Sequence, residues 1–220
     1  VHVARAGVSV EGLVQAAAEL ADEVGFEQVT VSALARRFGV TVASLYSHVK
    51  NLDELRVRVA ALALTELADR AAEALAGRAG KDALAAFGGA YRDYAKTHPG
   101  RYEAARLRID ASSPAAAPAL RHSGLTRAIL REYRLPEAEE VHAVRFLGSA
   151  FHGFASLETS GAFSIGVAPD SHSALFWGTA WTLSGRSTRP WNPAGGGPCR
   201  RRWPRRGPRS RARALRGGGS

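Results

Sequence analysis

Three cations, Arg36, Arg37 and Lys50, fall in a stretch without a single acidic residue, residues 29–51 (VTVSALARRFGVTVASLYSHVKN). Cations interleaved with hydroxyl and phenol side chains suit contact with a phosphate backbone, leaving their neighbours to meet base edges. Other chemistries find no residues to carry them. The one cysteine, Cys199, excludes an internal disulfide and any paired-cysteine metal or redox motif. The seven histidines, at 2, 48, 98, 122, 142, 152 and 172, form no HxxxH or HExxH pair, so neither a metal nor a cofactor is expected. There is no Gly-rich phosphate loop and no GxSxG, and the chain does not read as an enzyme.

The formal net charge of +10 is misleading as a sign of nucleic-acid binding. From Ser171 onward there are eleven arginines and no Asp or Glu. Residues 1–170 hold the other 19 basic residues against all 20 acidic ones, a net of −1. The excess positive charge therefore belongs to the tail, and only the 29–51 segment is locally basic within the body.

The elements that must hold this segment read as helices throughout. Ser9 can cap a first helix in which Val10, Leu13, Val14, Ala17, Leu20, Ala21 and Val24 recur at helical spacing, with Gly25 ending it. Thr30 caps Val31 to Phe38, closed by Gly39, and Thr41 caps Val42 to His48. Asn51, followed by Asp53 and Glu54, opens a long helix to about Ala76. Further helices are expected at 82–97, stopped by His98-Pro99, then 101–109, 117–134 and 136–159, the last with Pro136 at N1. No run alternates with the strand period, so the fold class is all-α.

A hydrophobic fraction of 45% with 23% charged residues is globular composition. No apolar run approaches the roughly 18–20 residues that cross a bilayer, and no export leader is apparent, so a cytoplasmic protein without a membrane partner is expected. Residues 186–220, rich in Pro, Gly and Arg, are expected to be disordered. Back-translation of Thr179–Pro193 with GC-rich codons, read two nucleotides later, yields a run with apolar residues at helical spacing and acids between them. The tail from about Phe176 is therefore expected to be the product of a shifted reading frame. The domains read as a DNA-binding unit at 1–52, a helical effector-binding and dimerisation domain at 53–185, and the tail.

Two short capped helices joined by Phe38-Gly39-Val40-Thr41 predict a helix-turn-helix, with Val42, Ala43, Ser44, Tyr46, Ser47 and His48 on the groove side of the second helix. Residues from Val8 to about Leu64 resemble the DNA-binding region of the TetR family of bacterial transcriptional regulators. The matching features are Gly25-Phe26, Val29-Thr30-Val31, Leu34-Ala35-Arg36-Arg37-Phe38-Gly39-Val40, Leu45-Tyr46-Ser47-His48-Val49-Lys50-Asn51 and Asp53-Glu54-Leu55. The resemblance implies phosphate contacts from Thr30, Tyr46 and Lys50, and positions at or near bases for Val42, Ala43, Ser44 and His48. Arg36 and Ser47 complete the expected DNA-binding set.

Residues 82–160 resemble the C-terminal domain of a TetR subgroup, through Tyr91-x-x-Tyr94-Ala95, His98-Pro99-Gly100-x-Tyr102 and Phe151-His152-Gly153-Phe154. At the middle of the last motif that subgroup carries Trp-His-Gly. The resemblance implies a homodimer on double-stranded operator DNA and a cavity for a small, mostly apolar effector. Tyr102, Arg106, Phe151, Phe154 and Glu158 are its expected lining, with room left by Gly148, Ser149, Ala150, Gly153, Ala155 and Ser156. His152 reads as a hydrogen-bonded structural residue. The competing expectation is a non-enzymatic protein that binds nucleic acid without specificity through its arginine tail.

Overall fold

In the computed structural model, residues 8–163 are described, all within the first of the chain's two units, residues 1–186. The tail, with its expected disorder and frame shift, lies outside the described residues. Eight helices are formed among the described residues: α1 (Val10–Val24), α2 (Val31–Phe38), α3 (Val42–Leu45), α4 (Leu52–Leu75), α5 (Gly80–Thr97), α6 (Pro99–Ala104), α7 (Ala116–Leu130) and α8 (Glu137–Thr159). Short 3-10 turns at Phe26–Gln28 and Arg131–Tyr133 follow α1 and α7. No strand occurs among the described residues, and none of these helices is long and apolar enough to cross a membrane.

Local capping explains most of the N-terminal boundaries. Ser9, Thr30, Thr41 and Asn51 each accept a backbone N–H from the first turn of α1, α2, α3 and α4. Gly39 ends α2 in the left-handed region, at φ 67° and ψ 32°. Gly25 also takes a positive φ, 94°, but with ψ 145° it turns the chain into extended backbone instead of closing a left-handed cap.

Three expected boundaries are corrected. The helix expected at Val42 to His48 is a single turn, Val42–Leu45, and the chain then tightens through bonds from Ser47 to Ser44 and from His48 to Leu45. The helix expected at 101–109 is Pro99–Ala104, because Pro99 occupies a first-turn position of α6. Pro136 is the N-cap of α8.

The first core joins Leu13, Ala17, Leu20, Phe26, Leu34, Leu45 and Val49 to Leu55, Val59 and Ala63 of α4 and Ala104 of α6. Leu45 is fully buried there. Burying such a side chain contributes about 1.5–3 kcal/mol, which pins a one-turn helix that has no stability of its own. Further along α4, Ala71 packs with Leu84, Phe87, Ile129 and Phe151, and Leu67 packs with Tyr94, Tyr102 and Ala155. A single stiff helix thus serves the cores at both ends of the body.

Candidate functional site

On α3 and the turn after it, Leu45 and Val49 are both buried. One turn apart on one side, they turn Ala43, Ser44, Tyr46, Ser47 and Lys50 outward, all of them exposed. Tyr46 leaves 49% of its surface open. Val42 and His48 are half-buried, Val42 against the first core. Ser47 Oγ donates to the Ser44 carbonyl at 2.7 Å, and Thr30 Oγ1 accepts the Ala33 N–H at 3.2 Å, so both hydroxyls also serve the local backbone.

The charge of this face is smaller than its composition indicates. Arg36 is exposed. Arg37 turns back to α1, with its guanidinium 2.8 Å from Glu23 and 3.0 Å from Glu19. The hydrogen bond to Glu23, with the nearby carboxylates, raises its pKa further. The Lys50 backbone N–H donates to Glu54 at 2.7 Å, and this bond, with the Arg58 side chain, holds the Glu54 carboxyl below its ordinary range. The cations facing outward are therefore Arg36 and Lys50, and the expected contribution of Arg37 is withdrawn by its ion pairs.

The residues expected to line an effector cavity are only partly brought together. Tyr102 and Phe151 both touch Tyr91, at 6.4 and 5.5 Å between ring centroids, and Phe87 completes the cluster at 5.5 Å from Phe151. Phe154 is buried next to Phe163. Glu158 is held by the Arg92 guanidinium, with side-chain exposures of 8% and 11%, so its carboxylate already has a cation. Arg106 is exposed. Of the small residues expected to leave room, Gly148 and Ser149 face solvent and Ala155 is buried against Tyr94 and Tyr102. An open pocket of about 540 Å³ lies elsewhere, between Val10 and Val14 of α1, Arg58 and Leu62 of α4, and Pro114.

Two phenol–imidazole pairs, outside the expected lining as pairs, give the aromatic cluster its polar points. The Tyr91 hydroxyl is hydrogen-bonded to His122, and the Tyr102 hydroxyl to His152 Nδ1 at 3.1 Å. Burial pushes His122 down to about 4 and Tyr102 up to about 12, and raises Tyr91 as well. Burial, then the Arg106 charge, lowers His152, which also bonds Ser156. The rings are accordingly neutral hydrogen-bonding groups, and His152 is hydrogen-bonded to Tyr102 and Ser156. Tyr91 stood in the sequence motif, but nothing local marked His122 as its partner. Among the described residues no group of three or more His, Cys, Asp or Glu is placed to hold a metal ion.

A buried-backed, outward-facing turn after a capped helix pair defines a helix-turn-helix DNA-binding protein with an attached helical domain. Comparison with known proteins gives the same class. Residues 13–59 match the model of bacterial regulatory proteins of the tetR family, and residues 84–179 match a tetracycline repressor-like C-terminal domain. The chain is 33% identical over 159 residues to YobS of Bacillus subtilis, an uncharacterised HTH-type transcriptional regulator, covering 72% of this chain and 83% of that one. It is 36% identical over 158 residues to a second such regulator, Rv0681 of Mycobacterium tuberculosis, covering 71% and 72%. A TetR variant from Acinetobacter baumannii AYE, solved in complex with minocycline, shares the fold at TM-score 0.58 and 20% identity, over 81% of this chain and 96% of that one. The chain belongs to the TetR family of HTH-type transcriptional regulators, a family of DNA-binding proteins.

Proposed function

We propose that the chain is a homodimeric repressor that binds a specific operator and is released by a small, mostly apolar effector. The observation that carries the DNA contact is the exposed set Ala43, Ser44, Tyr46, Ser47 and Lys50 opposite the buried Leu45 and Val49. Tyr46, Lys50, Arg36 and Thr30 reach phosphates, and Val42, Ala43, Ser44, Ser47 and His48 lie toward the bases. Ala43 and Val42 offer only apolar contact, for example to a thymine methyl, so selectivity leans on DNA shape.

The second copy is supported by α8, which exposes Phe146 at 66% and Leu157 at 48%, with Ser149 and Gly153 between them on one stripe. A Cβ at Gly153 would meet nothing within 4 Å, so a second helix can approach there closely. Dimerisation sets two reading heads about 34–36 Å apart on one face of DNA.

The effector is taken up by the aromatic cluster of Phe87, Tyr91, Tyr102 and Phe151, whose neutral Tyr–His pairs fix its orientation. The minocycline complex of a structural neighbour supports small-molecule binding in this fold. The likeness to the Trp-His-Gly type stands on Phe151-His152-Gly153. Selection of duplexes from a random pool, followed by titration with Tyr46→Ala and Lys50→Ala, tests the reading. The arginine tail, with its eleven arginines, supplies the competing source of DNA affinity.

A further inference from the structure

The six residues of α6 make a polar joint with the DNA-binding unit. Asp22, in the last turn of α1, accepts the Arg101 backbone N–H at 2.9 Å through Oδ1. Its Oδ2 faces His98 Nδ1 at 3.1 Å and the Arg101 guanidinium at 3.1 Å. Arg70 of α4 can only donate, so the His98 Nε2 it contacts at 2.8 Å is the acceptor and the ring proton sits on Nδ1, toward Asp22. Side-chain exposures of 10% for Arg101 and 16% for Asp22 leave little water to screen the pair. At the rim, Glu103 accepts the Phe26 N–H at 3.2 Å, at the start of the 3-10 turn that joins α1 to α2. Gly100 sits against the Ala21 backbone so closely that a Cβ would overlap its carbonyl.

The residue after Arg101 faces the other way. Tyr102 bonds His152 of α8 and meets the Tyr91 ring edge-on. One short helix is therefore locked to α1 by Asp22 and Glu103 and to the aromatic cluster by Tyr102.

We propose that Asp22, with Glu103 at the rim, is the positioning residue through which the state of the aromatic cluster reaches the DNA-binding unit. The proposal rests on the regulator reading above. A polar joint with one close backbone approach is either made or broken and does not slide, so a shift of α6 turns α1 and carries α2 and α3 with it. Coupling is reciprocal, so DNA bound at α3 must be felt at α6 and α8 without any effector present.

Hydrogen exchange of the full chain, free and bound to a duplex selected from a random pool, reads this directly. Wild type is expected to slow exchange over 99–106 and 147–158 when the duplex binds. Asp22→Asn is expected to bind the duplex and lose that response, while Glu66→Gln, which loosens Arg101 from α4 and weakens the bond from the Tyr94 hydroxyl but leaves Asp22 untouched, keeps it. Should Asp22→Asn not fold, Glu103→Gln at the exposed rim reads the same joint and is expected to weaken the response. A wild type that selects and binds no duplex overturns the regulator reading. A wild type that binds but shows no response at 99–106, variants of Asp22 and Glu103 that respond like wild type, or a Glu66→Gln that loses the response equally, overturns the joint.

Discussion

Arg101 and Tyr102 are chain neighbours that serve opposite halves of the molecule. Arg101 lies between Asp22 of α1 and Glu66 of α4, whereas Tyr102 is bonded to His152 of α8. Successive residues on a helix point about a quarter-turn or more apart, so a helix of six residues suffices to face both. The halves meet through this element and through α4.

The close approach behind Arg101 fixes a first stability effect. An alanine Cβ at position 100 would overlap the Ala21 carbonyl and come within 2.6 Å of the Asp22 amide nitrogen, and backbone cannot move aside as a side chain can. Gly100→Ala is expected to lower the unfolding free energy by about 1–3 kcal/mol. Gly124→Ala on α7, where a Cβ meets nothing within 4 Å, is expected to be neutral or to gain up to ~1 kcal/mol of helix propensity. Urea unfolding of the two variants compares them, and equal effects would contradict the packing.

The two adjacent arginines of α2 are expected to separate by function. Arg36→Ala removes an outward cation and is expected to flatten the salt dependence of duplex binding by about 0.9 in log–log slope. Arg37→Ala leaves that slope unchanged and costs up to about 1 kcal/mol through loss of the pairs with Glu19 and Glu23. Titrations at several salt concentrations distinguish them. A flattened slope for Arg37→Ala would mean that its ion pairs open on DNA.

The difference between these arginines shows what was legible in the sequence. Ser9, Thr30, Thr41 and Asn51 mark helix starts because a cap involves residues only three apart. Gly39 was legible for the same local reason. Arg37 and Glu23 are fourteen residues apart, and Asp22 and Arg101 seventy-nine, so neither pairing leaves a local pattern. The end of α3 was overrun because Tyr46 to His48 keep helical character in composition, while the chain there closes with bonds from Ser47 to Ser44 and from His48 to Leu45, three residues apart. The exposed reading face was legible because it is the complement of two apolar residues one turn apart.

Acid is expected to destabilise the regulatory core through His122. Its folded-state pKa lies at about 4 against an ordinary 6.5, because burial disfavours the cation. Below the ordinary value the unfolded chain takes up a proton that the folded chain refuses. Stability is therefore intact above about pH 6.5, falls as the pH drops toward about 4, and levels off below. The full effect is about 3 kcal/mol. His122→Gln, which can still bond Tyr91, is expected to remove this part of the pH dependence in urea unfolding between pH 4 and 7. An unaltered profile would show that another group is responsible.

The match to the C-terminal domain ends at residue 179, close to where the reading-frame expectation puts the break. Sequencing the gene across the codons for residues 175–179 on both strands is expected to reveal an inserted or deleted base. An intact frame disposes of the idea.

Selection of duplexes from a random-sequence pool by the full chain is the most direct test of specific DNA recognition by the 30–50 segment. It is completed by titrating the winner with wild type, with Tyr46→Ala/Lys50→Ala and with a chain lacking 186–220. The expected winner is a near-palindrome with half-site centres about 34–36 Å apart. The double variant is expected to bind it at least about tenfold more weakly with a flatter salt slope, and loss of the tail is expected to leave the preference intact. A pool without enrichment, or binding that survives the double variant and disappears with the tail, would contradict a sequence-specific regulator.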